Sequence, residues 1–211
     1  MNNTKIIVFD LYNTLIEITQ QNHFFLQLFK KSKNGFGLKI SAYLQCIMKN
    51  DIGNLKNMLP EDFSFLYSQN FSILEQELNS IHVYKETFGV LEDLKNDYRL
   101  FLISNLASPY KEPFFTNNLN QYFEKVIFSC DYGILKPNKE IFQEVEKITK
   151  NKASEILMIG DSLKSDIIGA KNMKWNYLKI NRNTEISNKY EIKNLNEIRK
   201  HLKPSYINLQ K

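Results

Sequence analysis

The sequence predicts an α/β protein: a doubly wound, mainly parallel sheet with a small helical domain inserted after its first strand. Three observations carry that prediction. Short apolar runs recur along the chain, segments with apolar residues at three-to-four spacing lie between them, and the alternation breaks once, from about residue 17 to 84. At 211 residues the chain can bury one substantial core, or a core with a smaller insertion.

The strands follow in order. "KIIVFD" at 5–10, "RLFLIS" at 99–104, "KVIFS" at 125–129, "ILMIGD" at 156–161 and "NYLKI" at 176–180 are each apolar on both faces, as strands of a helix-covered parallel sheet are. Between them "TFGVLEDLKND", "NKEIFQEVEKIT" and "LKSDIIGAKNM" have helical spacing. Residues 1–16 and 85–211 then form the core domain. Residues 17–84 form the insertion, with helical patterns in "HFFLQLFKK", "KISAYLQCIMK" and "FSILEQELNSI" and turn or cap signals in "KNGFG" and "MLPED". The rings of Phe24, Phe25, Phe29 and Phe36 are expected in the helical core; any that face a site would favour a substrate with an apolar part. The tail after Lys203 is expected to be loosely held.

Composition narrows the function classes. The apolar fraction is 43% and the charged fraction 24%, with no run of about 18 apolar residues that a membrane span needs. No secretory signal is visible at the start, and Cys46 and Cys130 lack metal or disulfide spacing, so a cytoplasmic protein with reduced thiols is expected. The net charge of +5 comes from lysines that alternate with glutamates, which describes a solvated surface rather than a nucleic-acid stripe. The expected partner is a small anionic molecule, drawn in by a positive field. His23, His82 and His201 have no ligand spacing and read as surface or boundary residues.

In a doubly wound sheet, ligands bind beyond the C-terminal strand ends. Asp10 closes the first strand, Ser104 and Asn105 the second, Asp161 the fourth, and Lys136 follows the third. A lone aspartate there is commonly a cap or turn former. Four such segments meeting at one edge suit phosphoryl transfer. Asp10 could attack phosphorus and form an aspartyl phosphate. Two carboxylates facing an anion require a hard divalent cation, for which Mg²⁺ is the natural choice. Lys136 would neutralise developing charge, and the Ser104 hydroxyl would bind phosphate oxygens. Asp166, at a helix start, would hold Lys136 or a metal-bound water. Asn13 and Thr14 shape the loop after Asp10, where Thr14 is placed to hydrogen-bond the nucleophile or substrate. Gly160 and Gly169 allow close backbone approach.

At these residues the chain resembles the haloacid dehalogenase-like (HAD) hydrolase superfamily. Four motifs match in order: "VFDLYNTLI", "FLISN", "GILKPNKEIF" and "MIGDSLKSDIIGA". The resemblance covers residues 1–16 and about 85–185. It implies a Rossmann-like core, a mobile helical cap at 17–84, an aspartyl-enzyme intermediate on Asp10, substrate contacts from Ser104 and Asn105, and Mg²⁺ held by Asp10, Asp161, Asp166 and the Tyr12 backbone carbonyl.

Tyr12 departs from the family's phosphatase pattern, which has a second aspartate there as general acid and base. A phenol with pKa near 10 donates a proton but is a poor base at neutral pH, and losing such a group costs about 10² to 10⁴ in rate. Tyrosine followed by "NTL" is similar to the 2-haloacid dehalogenase branch, as is the Ser104–Asn105 pair. That branch, however, uses a cap arginine, and the arginines here are Arg99, Arg182 and Arg199. It also works without metal and has serine at 161 and asparagine at 163, where this chain has Asp161 and Leu163. Phosphatase chemistry is therefore the first expectation, a carbon-directed hydrolase the second, and a weakly active or non-catalytic binding protein on the same scaffold the third.

Overall fold

The computed structural model describes residues 1, 3–183 and 188–202; the tail considered above lies outside them. In chain order the strands are β1 (Ile6–Phe9), β2 (Ile16–Ile18), β3 (Ile81–Val83), β4 (Arg99–Ser104), β5 (Lys125–Phe128), β6 (Ile156–Gly160), β7 (Asn176–Ile180) and β8 (Glu191–Ile192). Six form one sheet in the order β5-β4-β1-β6-β7-β8, and every pairing in it is parallel. The five apolar runs are its five longest strands. The short β8 carries too few residues to show a pattern in sequence.

Both faces of this sheet are covered, which explains the continuous apolar runs. Ile7, Phe9, Leu100, Leu102, Leu157 and Ile159 enter one hydrophobic cluster, with Leu91 and Leu94 of the helix Thr87–Leu94. Ile6, Val8, Phe101, Ile103, Ile156 and Met158 enter another, with Ile141, Phe142 and Val145 of the helix Lys139–Thr149. Alternate residues of each strand thus face opposite layers. A Cβ on Gly169 would lie 2.1 Å from the Phe142 ring, so glycine lets that helix approach closely.

Residues 24–79 hold five helices: α1 (Phe24–Lys31), α2 (Ile40–Lys49), α3 (Ile52–Met58), α4 (Glu61–Gln69) and α5 (Phe71–Asn79). Their apolar faces make a third cluster around Phe24, Leu28, Tyr43, Phe63 and Leu74. Phe24 and Phe25 are buried there as helical spacing predicts; Phe29 is half-buried against the cluster, and Phe36 is buried from the turn Gly35–Gly37 rather than from a helix face, stacking on Tyr43 at 5.3 Å. At the base, β2 and β3 pair antiparallel, so the chain leaves and returns through one two-stranded ribbon. Strands of three residues are below what periodicity detects.

Hydrogen bonds tie the helices to loops at the sheet edge. Ser129 Oγ donates to the Met48 carbonyl (2.7 Å) and accepts from Leu106 N (3.1 Å); Ser108 Oγ accepts from Ile52 N (2.9 Å). No helix among the described residues is long and apolar enough to cross a membrane.

Candidate active site

The chain runs from β1 to β4 on one side and later returns to β6 on the other, which makes the β1/β6 boundary the switch point where open α/β sheets bind ligands. Asp10 follows β1 and Asp161 follows β6, and the Asp10 N–H donates to the Ile159 carbonyl (2.9 Å). Asp166 sits in a π-helical turn, Leu163–Ile167, just after Asp161. One carboxylate oxygen from each of Asp10, Asp161 and Asp166 lies within 4.8 Å of the others.

Lys136 joins them. Its Nζ lies 2.6 Å from Asp10 Oδ1 and 2.6 Å from Asp166 Oδ1, and it donates to the Ile103 carbonyl (2.7 Å). The Lys136 and Asp166 side chains are 1% and 0% exposed. Asn105 sets the position of this lysine: its Nδ2 donates to the Lys136 carbonyl (2.9 Å) and its Oδ1 accepts from Lys136 N (2.8 Å). Of the residues expected to hold substrate, Asn105 therefore has its amide engaged at both ends, while Ser104 closes β4 nearby, 1% exposed. Asp166 Oδ2 accepts from Ser162 N (2.9 Å), and a Cβ on Gly160 would lie 2.3 Å from that oxygen, so glycine is required there.

Burial pushes the Asp10 carboxyl up to about 7; Asp166 and Asp161 add to the rise and Lys136 opposes it. Burial disfavours the Lys136 charge as well, yet the Asp10 and Asp166 carboxylates outweigh it and raise that group. Asp161 is also raised, first by burial and then by Asp166. Three carboxylates meet one ammonium, so full ionisation leaves about two uncompensated negative charges in a site of low dielectric, a costly state. A hard divalent cation fits both the deficit and the all-oxygen donor set.

The loop after Asp10 is held from outside. Asn13 adopts the left-handed region (φ 58°), which asparagine tolerates better than most residues, and its Nδ2 donates to Asp161 Oδ2 (3.2 Å). Arg182, past the end of β7, donates to the Thr14 carbonyl (2.7 Å) and the Asn13 carbonyl (3.4 Å), pairs with Glu86 (2.7 Å) and stacks on Tyr84 at 3.4 Å. Sequence reasoning missed this role, because an arginine after a strand has no motif. Thr14 Oγ1 is buried without a hydrogen-bond partner among the described residues.

Tyr12 faces the helices instead. Its hydroxyl donates to the Tyr110 carbonyl (2.9 Å), and the two rings meet edge to face at 6.1 Å. Burial, reinforced by Glu77 and Asp10, raises the phenol further above its ordinary value. The Tyr110 hydroxyl donates to Glu77 Oε2 (3.0 Å), and Glu77 also accepts from the N–H groups of His23 (3.2 Å) and Phe24 (3.1 Å) at the start of α1. These residues line a cavity of about 250 Å³ between the helices and the sheet edge. Glu77 also went unread in sequence, since glutamate in an amphipathic helix normally marks the solvated face.

The model of the haloacid dehalogenase-like hydrolase family matches residues 7–180, and the chain belongs to that family. Among curated proteins, it is 41% identical over 78 residues to glyceraldehyde 3-phosphate phosphatase of Pyrococcus abyssi, covering 36% of this chain and 32% of that protein. It is 31% identical over 86 residues to pyrimidine 5'-nucleotidase YjjG of Escherichia coli, covering 40% and 38%. The chain thus spans about a third of the length of these relatives. Among solved structures, a HAD phosphatase from Thermococcus onnurineus superposes with a TM-score of 0.66 at 25% identity, covering 94% and 97% of the two chains. A 2-haloacid dehalogenase from Pseudomonas syringae gives 0.65 at 20%, covering 93% and 97%. A HAD family enzyme from Bacteroides thetaiotaomicron, in complex with magnesium and inorganic phosphate, gives 0.61 at 18%, covering 87% and 97%. The last two likenesses speak for the fold.

Proposed function

We propose that the chain is a Mg²⁺-dependent phosphatase of small phosphomonoesters in which Asp10 is the nucleophile. The observation that carries this reading is the cluster of Asp10, Asp161 and Asp166, two of whose carboxylates, those of Asp10 and Asp166, share the buried Lys136. Asp10 attacks phosphorus, the ester P–O bond breaks with its electron pair leaving on the alcohol oxygen, and water then hydrolyses the aspartyl phosphate. Asp10, Asp161, Asp166 and the Tyr12 carbonyl would hold Mg²⁺, which when bound screens the phosphate charge from these carboxylates. Lys136 neutralises Asp10 and the transferring group, and Ser104 receives a phosphate oxygen. Asn105 acts by fixing Lys136. Residues 17–84 serve as the cap, hinged at the β2/β3 ribbon.

With its O–H directed to the Tyr110 carbonyl, Tyr12 does not replace the family's second acid. The leaving oxygen takes its proton from water, so substrates with good leaving groups react fastest. The names of the curated phosphatase and nucleotidase relatives support phosphate-ester chemistry. Dehalogenation is the weaker reading, because Asp161 beside Asp10 would repel a 2-haloacid carboxylate; no arginine or lysine lines the cavity at Tyr12, and Arg182, in the separate pocket at Asp161, is already paired with Glu86 and two backbone carbonyls.

The test is hydrolysis of p-nitrophenyl phosphate with Mg²⁺, with EDTA, and by Asp10→Asn. Turnover should require Mg²⁺ and fall by at least about 10³ in the variant. Halide release from 2-haloacids indifferent to EDTA would overturn the reading. Absence of turnover with Mg²⁺-linked thermal stabilisation would leave a binding protein.

A further inference from the structure

Resting on the phosphatase reading, we propose that the leaving group is a compact, uncharged apolar moiety such as an aromatic ring, and that the same cavity rejects phosphomonoesters bearing a carboxylate or several hydroxyls. The cavity lies beside the carboxylate centre, and its wall is made by residues that neighbour Asp10, Ser104 and Lys136 rather than by those residues themselves. Its wall includes Tyr12, two residues beyond Asp10, and Asn105, next to Ser104 and bonded to Lys136. A phosphate at Asp10 whose ester group points toward the helices would place that group in this space.

The apolar wall comes from Phe24, Phe25, Leu44, Leu106 and Ala107, with the rings of Tyr12 and Tyr110. The polar groups beside it are already engaged. Tyr12 donates to the Tyr110 carbonyl, Tyr110 donates to Glu77, Glu77 accepts from three donors, and both ends of the Asn105 amide bind the Lys136 backbone. Among the described lining residues, only the His23 ring stands outside this network. A polyol entering here would lose its water for few partners, the His23 ring and the remaining acceptor sites of the network, which is costly, whereas an apolar group gains from burial.

Charge points the same way. No lysine or arginine lines the cavity, and Glu77, 3% exposed, contributes a carboxylate. A second anionic group on the substrate would meet repulsion from Glu77 with no cation in the wall to offset it. The volume of about 250 Å³ exceeds the roughly 150 Å³ that holds a benzene ring in an apolar protein cavity.

The experiment compares benzyl phosphate, glycerol 3-phosphate and 2-phosphoglycolate, all esters of aliphatic alcohols, so that leaving-group reactivity differs little between them. With Mg²⁺, kcat/KM for benzyl phosphate should exceed both others by at least about tenfold. Benzyl phosphate should also raise the melting temperature of Asp10→Asn more than glycerol 3-phosphate does at equal concentration. Leu44→Arg, which places a cation in the wall, should shift the preference toward 2-phosphoglycolate by about tenfold. Equal or inverted ranking, with turnover still dependent on Mg²⁺ and Asp10, overturns the apolar leaving group and spares the phosphatase reading. Absence of Mg²⁺-dependent turnover on all three, and on p-nitrophenyl phosphate, overturns both.

Discussion

The carboxylate centre and the cavity beside it are neighbours built on opposite principles. At the centre, charges gather at the ends of parallel strands and leave an electrostatic deficit: Asp10 and Asp166 share one lysine with Asp161 close by, and burial pushes Asp10 up to about 7. In the cavity the polar side chains of Glu77, Tyr110, Tyr12 and Asn105 are hydrogen-bonded to one another or to nearby backbone. The difference teaches where each property resides. On the proposed reading, the sheet edge supplies chemistry and the helices supply selection by shape and apolarity.

The sharpest way to break this contrast is to remove the charge that organises the centre. Lys136→Met leaves Asp10 and Asp166 buried without their shared partner, and should destabilise the protein by about 3–5 kcal/mol, measured by denaturant unfolding. A loss below about 1 kcal/mol would mean that the centre is not electrostatically coupled.

A smaller effect follows from Asp10. A carboxyl whose native pKa lies above its unfolded value favours folding while protonated; that contribution is present below about 3.8 and is lost as pH rises to about 7. In metal-free protein, Asp10→Asn should therefore gain thermal stability relative to wild type across that window, by a few kcal/mol at most. A difference that stays flat with pH would contradict the raised Asp10 pKa.

Smallest is the effect of loosening the loop. Arg182→Met removes donors to the Asn13 and Thr14 carbonyls, and Asn13 orients Asp161. Turnover should drop by about tenfold and the Mg²⁺ concentration for half-maximal activity should rise, with KM little changed. Arg182→Lys, which keeps the charge, should recover part of the loss.

How much of this was legible in sequence follows the same division. The sheet was readable because strands covered on both faces must be continuously apolar, and Asp10, Lys136, Asp161 and Asp166 were readable because strand ends in such a sheet converge. The β2/β3 ribbon and β8 were not, being two or three residues long, and α3 and α4 were hidden by irregular spacing around Pro60. The cavity network joins residues 33 and 98 positions apart, and nothing local marks such pairs. Thus Tyr12, singled out as a departure in an acid-base position, is tied instead to Tyr110, and Asn105, expected beside the substrate, grips the lysine loop.

The central claim is that a divalent cation belongs between Asp10 and Asp161. Titration of Mg²⁺ into metal-free protein by calorimetry tests it most directly. The account predicts one ion per chain, binding lost in Asp161→Ala and retained in Glu77→Gln, whose carboxylate lies in the cavity wall. Undiminished binding in Asp161→Ala, or none in the unaltered protein, would contradict it.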